Sequence, residues 1–216
     1  MMLAKATGYG AGFSIVTTFK SLEKNKFSDK ILETVKIWEF LRHKKLFSET
    51  QRKLLRNIDS EFHLEKNNEN EILFYPITAY LGKQYSINNK KPSKEFIINN
   101  PYSKRSCEIT IKLISRDNKA KARNIKINIT NFTDFNIPFI LTRDTILRIK
   151  NNGNILLYSK NWKKLKELKT KPCFFLSGRN KILLSANIET NSDALLSFEF
   201  RIKGDPQKIS LKNKKG

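Results

Sequence analysis

From Glu71 onward, apolar and polar residues alternate along the chain with a period of two. The clearest runs are Cys107-Glu-Ile-Thr-Ile-Lys-Leu-Ile114, Asn124-Ile-Lys-Ile-Asn-Ile129 and Leu196-Ser-Phe-Glu-Phe-Arg-Ile202. A strand of that pattern buries one face and wets the other, so these segments predict antiparallel pairing. Strands are expected over 71–75, 94–98, 107–114, 123–130, 137–141, 145–149, 154–158, 173–177, 180–187 and 194–202. Turn residues separate them: Asn99-Asn100-Pro101, Asn151-Asn-Gly-Asn154 and Gly178-Arg179-Asn180. The second of these, between Ile149 and Ile155, is a strong hairpin signal. About nine strands at this spacing predict a two-sheet antiparallel sandwich, jelly-roll-like in kind.

The first third reads differently. Thr7–Phe19 has the form of a buried strand jointed by Gly8, Gly10 and Gly12, with β-branched Ile15 and Val16 behind them. As a phosphate loop the glycines lack a following helix and acidic partner, so a strand end is the better reading. Ser28 is a candidate helix N-cap with Asp29 in the first turn. Ile31, Val35, Trp38 and Leu41 then recur at helical spacing, flanked by Leu32 and Ile37, and predict about four turns of helix. Ser48-x-x-Gln51 has capping-box form, with Phe47 before it and Leu54, Leu55 and Ile58 after. A second helix should run to about Asn57. Glu61, His63 and Glu65 would share one face of a strand, but only His43 remains to complete a metal shell, so no metal site is expected.

The fold class is thus α+β by composition and mainly β. Its expected organisation is a strand and two helices over residues 1–65, a sandwich over 70–210 and a disordered basic tail over 211–216. One strand with two helices closes no core. The Ile31/Val35/Trp38 face should therefore seek a partner, either the missing portion of a larger parent protein or a second copy.

Composition changes the picture less than its extremes suggest. The 42 Lys and Arg against 20 Asp and Glu leave a formal charge of +22, which admits anionic partners. Lysine is nevertheless spread along the whole length together with abundant Asn and Ile, so surface solvation is favoured over nucleic-acid binding. Lys160, Lys163, Lys164, Lys166, Lys169 and Lys171 crowd around Trp162 and are the polyanion candidates; a solvated loop also accounts for them. Lys208, Lys212, Lys214 and Lys215 belong to the expected frayed end. Cys107 and Cys173 lie in apolar runs and read as reduced core thiols, with one disulfide as the alternative. No apolar run approaches the ~18 residues of a membrane span. No signal-peptide form is visible at the start, so the expected location is cytoplasmic, or extracellular or periplasmic if the chain is part of a secreted parent. Asn128-Ile-Thr130 and Asn131-Phe-Thr133 match glycosylation acceptors, as chance allows in so Asn-rich a chain. No nucleophile has a nearby general base, and no cofactor is implied.

One set of residues carries a resemblance. The glycine-rich segment leads to Trp38-Glu39-x-x-Arg42, then to Gln51-Arg52-x-x-Leu55 and to Glu61-Phe-His-Leu-Glu65. Asn100-Pro101, Leu141-Thr-Arg-Asp144, Ser177-Gly-Arg-Asn-Lys-Ile182 and Arg201-Ile-Lys-Gly-Asp-Pro206 follow in the β region. Together they resemble the C-terminal end of a (β/α)-barrel glycoside-hydrolase-like protein, where the last barrel strand and helix give way to a β-sandwich. Such barrels carry two catalytic carboxylates at the ends of several strands. No acidic residue occurs in 1–22, so no catalytic residue is carried over. The resemblance implies a non-catalytic accessory region associated with polysaccharide. Its candidate sugar contacts are Trp162, Tyr158, Tyr102 and Asn161, unless the aromatics serve the core and the sheet edge. The alternatives are a structural assembly sandwich, phage-tail-like or surface-borne, and a polyanion-binding domain.

Overall fold

A computed structural model describes residues 2–57, 60–129 and 133–211. Four helices come first among them: α1 (Met2–Tyr9), α2 (Phe19–Lys24), α3 (Ser28–His43) and α4 (Glu49–Arg56). The strands β1 (Glu61–Asn68), β2 (Glu71–Tyr80), β3 (Ser86–Asn88), β4 (Ser93–Asn100) and β5 (Arg105–Ser115) follow. Next are β6 (Lys121–Ile129), β7 (Thr133–Ile137), β8 (Leu141–Thr142), β9 (Thr145–Ile149) and β10 (Asn154–Ser159). The last are β11 (Lys164–Lys169), β12 (Phe174–Phe175), β13 (Gly178–Glu189), β14 (Ala194–Lys203) and β15 (Gln207–Ser210). The fold is α+β and mainly β, with antiparallel sheets, as the alternation implied. No described helix is long and apolar enough to cross a membrane.

The chain forms two compact units. The first holds the residues up to Ile77 and those from Asp205 on, and the second holds Thr78–Gly204. The return of residues after Gly204 to the first unit was not foreseen. Instead of fraying, Gln207–Ser210 pairs antiparallel with β2, and Lys208 sits in that strand, 3.3 Å from Glu71. The rest of the expected basic tail, from 212, lies outside the described residues.

The core of the first unit is small: Trp38, Leu41, Phe47, Leu55, Ile72, Phe74 and Ile209, with Ala4. Trp38 stacks on Phe47, which meets Phe74 edge-on. The capping box forms as expected, with Ser48 Oγ accepting from Gln51 N and Gln51 Oε1 accepting from Ser48 N. Gln51 also donates to Gln207, so the cap reaches the returning strand.

Two N-terminal expectations are corrected. Thr7–Phe19 is not a buried strand: α1 runs to Tyr9, and residues 11–18 have no regular secondary structure and lie mostly exposed, Val16 almost wholly so. The glycines serve a helix instead. A Cβ on Gly8 would come within 2.9 Å of Leu55 Cβ, so Gly8 permits close approach of α1 to α4. Gly10, with φ +73°, closes α1 in a Schellman arrangement, Ala11 N donating to Ala6 O and Gly10 N to Thr7 O. Second, Ser28 is inside α3 rather than capping it; Phe27 is the cap residue, and Ser28 Oγ donates to Leu22 O. Along the α3 apolar stripe the C-terminal half is covered: Trp38 and Leu41 are buried, Val35 is half-buried and Ile31 is exposed.

The second unit is the sandwich. One sheet has the order β14-β5-β9-β10-β11, with β3 paired to β14 and β12 to β5. The other has the order β4-β13-β6-β7, with β8 paired to β6. Ile109, Ile111, Phe198 and Phe200 of the first sheet and Ile98, Ile125, Ile127, Ile182 and Leu184 of the second share one buried cluster. β14 alternates buried and half-buried throughout. In β6 the alternation skips at Arg123-Asn124, where the ladder to β13 shifts register and Asn124 takes φ +50°. Asn tolerates that conformation, and the bulge brings Ala122 and Ile125 to the same face.

The Asn151–Asn154 turn is present. Gly153 has φ +86°, and a Cβ there would fall 2.2 Å from Thr170 O. Two expected strands are shorter or displaced. The segment 137–141 is broken by Pro138, which has no N–H to donate, leaving β7 before it and two-residue β8 after it. The segment 173–177 keeps only Phe174–Phe175 in strand. Thr130 and Asn131, which would complete the glycosylation matches, lie outside the described residues.

Removing the α4 cap tests the first unit directly. Ser48→Ala is expected to lower stability by about 1 kcal/mol, read from the urea midpoint at unchanged slope. An unchanged midpoint would mean that the paired cap bonds stabilise nothing beyond what water supplies.

Candidate functional site

The sequence candidates around Trp162 meet on one element. Between β10 and β11 the Ser159/Lys163 pair encloses the loop Lys160-Asn161-Trp162, with Ser159 N donating to Lys163 O and Trp162 N donating to Ser159 O. A three-residue hairpin loop of this kind ends in a left-handed residue, usually Gly or Asn. Here that residue is Trp162, at φ +59°. A bulky side chain in that region costs roughly 1–2 kcal/mol, so the position is strained by its own occupant. The indole is 41% exposed, and its ring centre is 5.7 Å from that of Tyr158. Asn161, at the tip, is exposed.

Tyr102 is not part of this group. It sits between β4 and β5, half-buried against the sandwich core, with its hydroxyl 3.1 Å from Thr78 Oγ1, which donates to it. A Cβ on Gly204 would overlap the Tyr102 ring at 2.6 Å, so that ring is packed against backbone rather than offered as a platform.

The lysines are redistributed as well. Lys164–Lys169 is not a loop but edge strand β11, every residue of it exposed. Its ladder to β10 shifts between Leu157↔Lys166 and Tyr158↔Lys164. That irregularity places Lys164 with Tyr158 and Glu167 on the outer face, while Lys166 pairs opposite core residue Leu157 on the other. Lys160 and Lys164 are ion-paired, Lys160 Nζ at 3.1 Å from Asp144 and Lys164 Nζ at 2.8 Å from Glu167. The bond to Glu167 raises the Lys164 pKa above its ordinary value. Lys163 donates its backbone N–H to Ser159 Oγ. Lys163, Lys166 and Lys169 are exposed, as edge lysines that blunt strand-to-strand association commonly are.

From the hairpin the outer face of the sheet extends across five strands in register. Tyr158 lies opposite Ile146, Ile146 opposite Lys112 and Lys112 opposite Ser197. The adjacent row is Glu167, Leu156, Arg148, Thr110 and Glu199. Its carboxylates are engaged: Glu199 with Lys112 and Arg201, at 2.8 and 2.9 Å. Glu108 is 3.0 Å from Arg148. This charged ladder was not anticipated, although the charged residues at outward positions of the alternating strands, Glu108, Lys112, Arg148, Glu199 and Arg201, were its signal.

Other concavities lie apart from the hairpin. In the first unit a cavity of about 410 Å³ is lined by Thr7, Gly10, Arg42 and Arg52 among others. Arg42 is held by Glu39 through three side-chain bonds and also donates to Gly10 O, and Arg52 faces Glu49, so both arginines are engaged. Among the described residues no group of three or more His, Cys, Asp or Glu side chains is placed to hold a metal ion. His63 stands 4.0 Å from Glu65.

The Glu199 pair has a pH signature. Burial pushes its carboxyl up, but the hydrogen bonds from Lys112 and Arg201 outweigh that and hold it below the usual carboxylate range. A depressed folded pKa stabilises the fold above the unfolded value of about 4.3 and loses that contribution as pH falls through the folded value. The urea-midpoint difference between the unaltered chain and Glu199→Gln should therefore be constant near neutrality and shrink below about pH 4. A difference independent of pH would show that Glu199 contributes through packing alone.

Against these features the comparisons with known proteins are silent: no family model, no curated protein and no solved structure matches this chain.

Proposed function

We propose that the protein is a non-catalytic binding module associated with carbohydrate-active machinery, and that a polysaccharide chain is held at the β10–β11 hairpin. One observation carries the reading: Trp162 occupies a strained left-handed position in which Gly would be favoured, with its indole half open beside Tyr158. Strain retained by an exposed aromatic is the kind found at ligand-contact positions. In this reading the apolar face of a pyranose ring lies on Trp162, and Asn161 meets the ring hydroxyls. A partner at the open half of α3 belongs to the same reading, since Phe27, Ile31 and Leu32 are each more than 40% exposed.

A second reading rests on Lys163, Lys166 and Lys169, exposed on or beside an edge strand, and takes an anionic polymer as the ligand. The two separate by salt: polyanion binding weakens steeply with ionic strength, whereas stacking on a neutral glycan does not.

The decisive variant is Trp162→Gly. It is expected to reduce retention on immobilised neutral polysaccharide by about tenfold while leaving stability unchanged or raised by up to about 1 kcal/mol. Full retention would overturn the glycan reading. A clear loss of stability would make Trp162 a packing residue. Retention on an immobilised anionic polymer that is lost in Lys166→Glu/Lys169→Glu, and in the unaltered chain at high salt, would establish the polyanion reading instead.

A further inference from the structure

We propose that Cys107 and Cys173 form an intramolecular disulfide that ties the short strand β12 to the centre of the sandwich. Cys107 lies within β5, and Cys173 immediately precedes β12. The antiparallel ladder pairs Phe174 with Ser106 and Phe175 with Arg105, so one further step sets Cys173 directly opposite Cys107. Cys107 N donates to Cys173 O at 3.0 Å, which extends the pairing through that step. Directly opposed residues in such a ladder have Cα atoms about 4.5–5.5 Å apart, within the span a disulfide bridges. The two sulfur atoms are 3.2 Å apart. Closing them to bonding distance needs about 1 Å of movement, within the reach of small side-chain rotations.

The surroundings favour a structural crosslink over other thiol chemistry. Both cysteines are fully buried and belong to the sandwich core, with Ile202 opposite Cys107 on the neighbouring strand. A metal is not indicated, because no third metal-binding side chain joins the pair among the described residues. Burial, reinforced by the hydrogen bond to Cys173, raises the Cys107 thiol well above its ordinary pKa. The folded thiol is therefore a poor nucleophile toward external electrophiles, and the bond forms before the strands close. β12 is a short strand of two residues, held in part by Asn100 Nδ2 donating to Phe175 O and by Lys104 over the Phe174 ring, and a covalent link would anchor it further.

The oxidant required is a disulfide, either a small molecule or a protein. One cysteine thiolate attacks that disulfide and forms a mixed disulfide, expelling a thiolate that takes up a proton. The second cysteine thiolate attacks the mixed disulfide at the first cysteine's sulfur, forms the Cys107–Cys173 bond and expels the second thiol. The two cysteines lose two electrons and two protons, and the oxidant is reduced to two thiols. The bond closes a long loop through β6–β11, so its main effect is to restrict the unfolded chain.

The test is to unfold the full chain, refold it with oxidised and reduced glutathione, and alkylate in denaturant. The expected result is no alkylatable cysteine, a mass lower by two hydrogens, and a proteolytic fragment joining the two cysteine peptides. Reduction should then lower Tm by about 10 °C. Two alkylatable thiols after oxidative refolding, or disulfide-linked dimers in place of the internal bond, would overturn the proposal. So would a Tm indifferent to reduction. The thiol count is made on the unaltered chain, so it does not depend on whether Cys107→Ala/Cys173→Ala folds. If that variant folds, its Tm should not respond to reductant.

Discussion

Everything in the second unit depends on exclusion of water from between two sheets whose inward residues come at every second position. Ile109, Ile111, Phe198 and Phe200 face Ile125, Ile127, Ile182 and Leu184 with no exposed surface left on any of them. Each such side chain contributes on the order of 1.5–3 kcal/mol by leaving water. Those gains require strict register, because a slip of one residue would turn a whole strand inside out. The irregularities are placed accordingly. The Asn124 bulge absorbs one extra residue in β6 so that both ends of the strand keep their apolar side inward. Gly153 lets the β9–β10 turn lie against the carbonyl of Thr170.

Most of the sandwich was legible because half-wet strands advertise themselves by alternation; 145–149 and 194–202 are found almost residue for residue. Capping chemistry is equally local, and the Ser48/Gln51 box could be read directly. The N-terminal glycines could not. Gly8 is small because of Leu55, far away in sequence, and nothing local distinguishes a strand joint from a helix–helix contact. β11 was hidden for another reason. As an edge strand with no fully buried face, it shows lysines where an interior strand would show alternation.

The hairpin tip was legible only in composition. Trp162, Tyr158 and the lysines stand close in sequence, but their division between two faces follows from a register shift that no spacing rule discloses. The left-handed backbone at Trp162 was invisible for the same reason, since hairpins normally announce that position with Gly or Asn. What resulted is an exposed aromatic edge on a face where Arg148, Lys112, Arg201, Glu108 and Glu199 are ion-paired among Ile146, Leu156, Thr110 and Ser197. A strongly basic chain thus presents, on this sheet, a surface in which the carboxylates are already spoken for.

The path of the chain between the two units has a bearing on synthesis. The sandwich occupies one uninterrupted stretch, Thr78–Gly204, whereas the first unit waits for Gln207–Ser210 to lie beside β2 and deliver Ile209 to its core. As the polypeptide leaves the ribosome, the unit begun first is completed last. The helices must persist without their closing strand while the whole sandwich is made, and Ile72 and Phe74 lack the cover of Ile209 during that interval. The birth order of the two units is the reverse of their order in the gene.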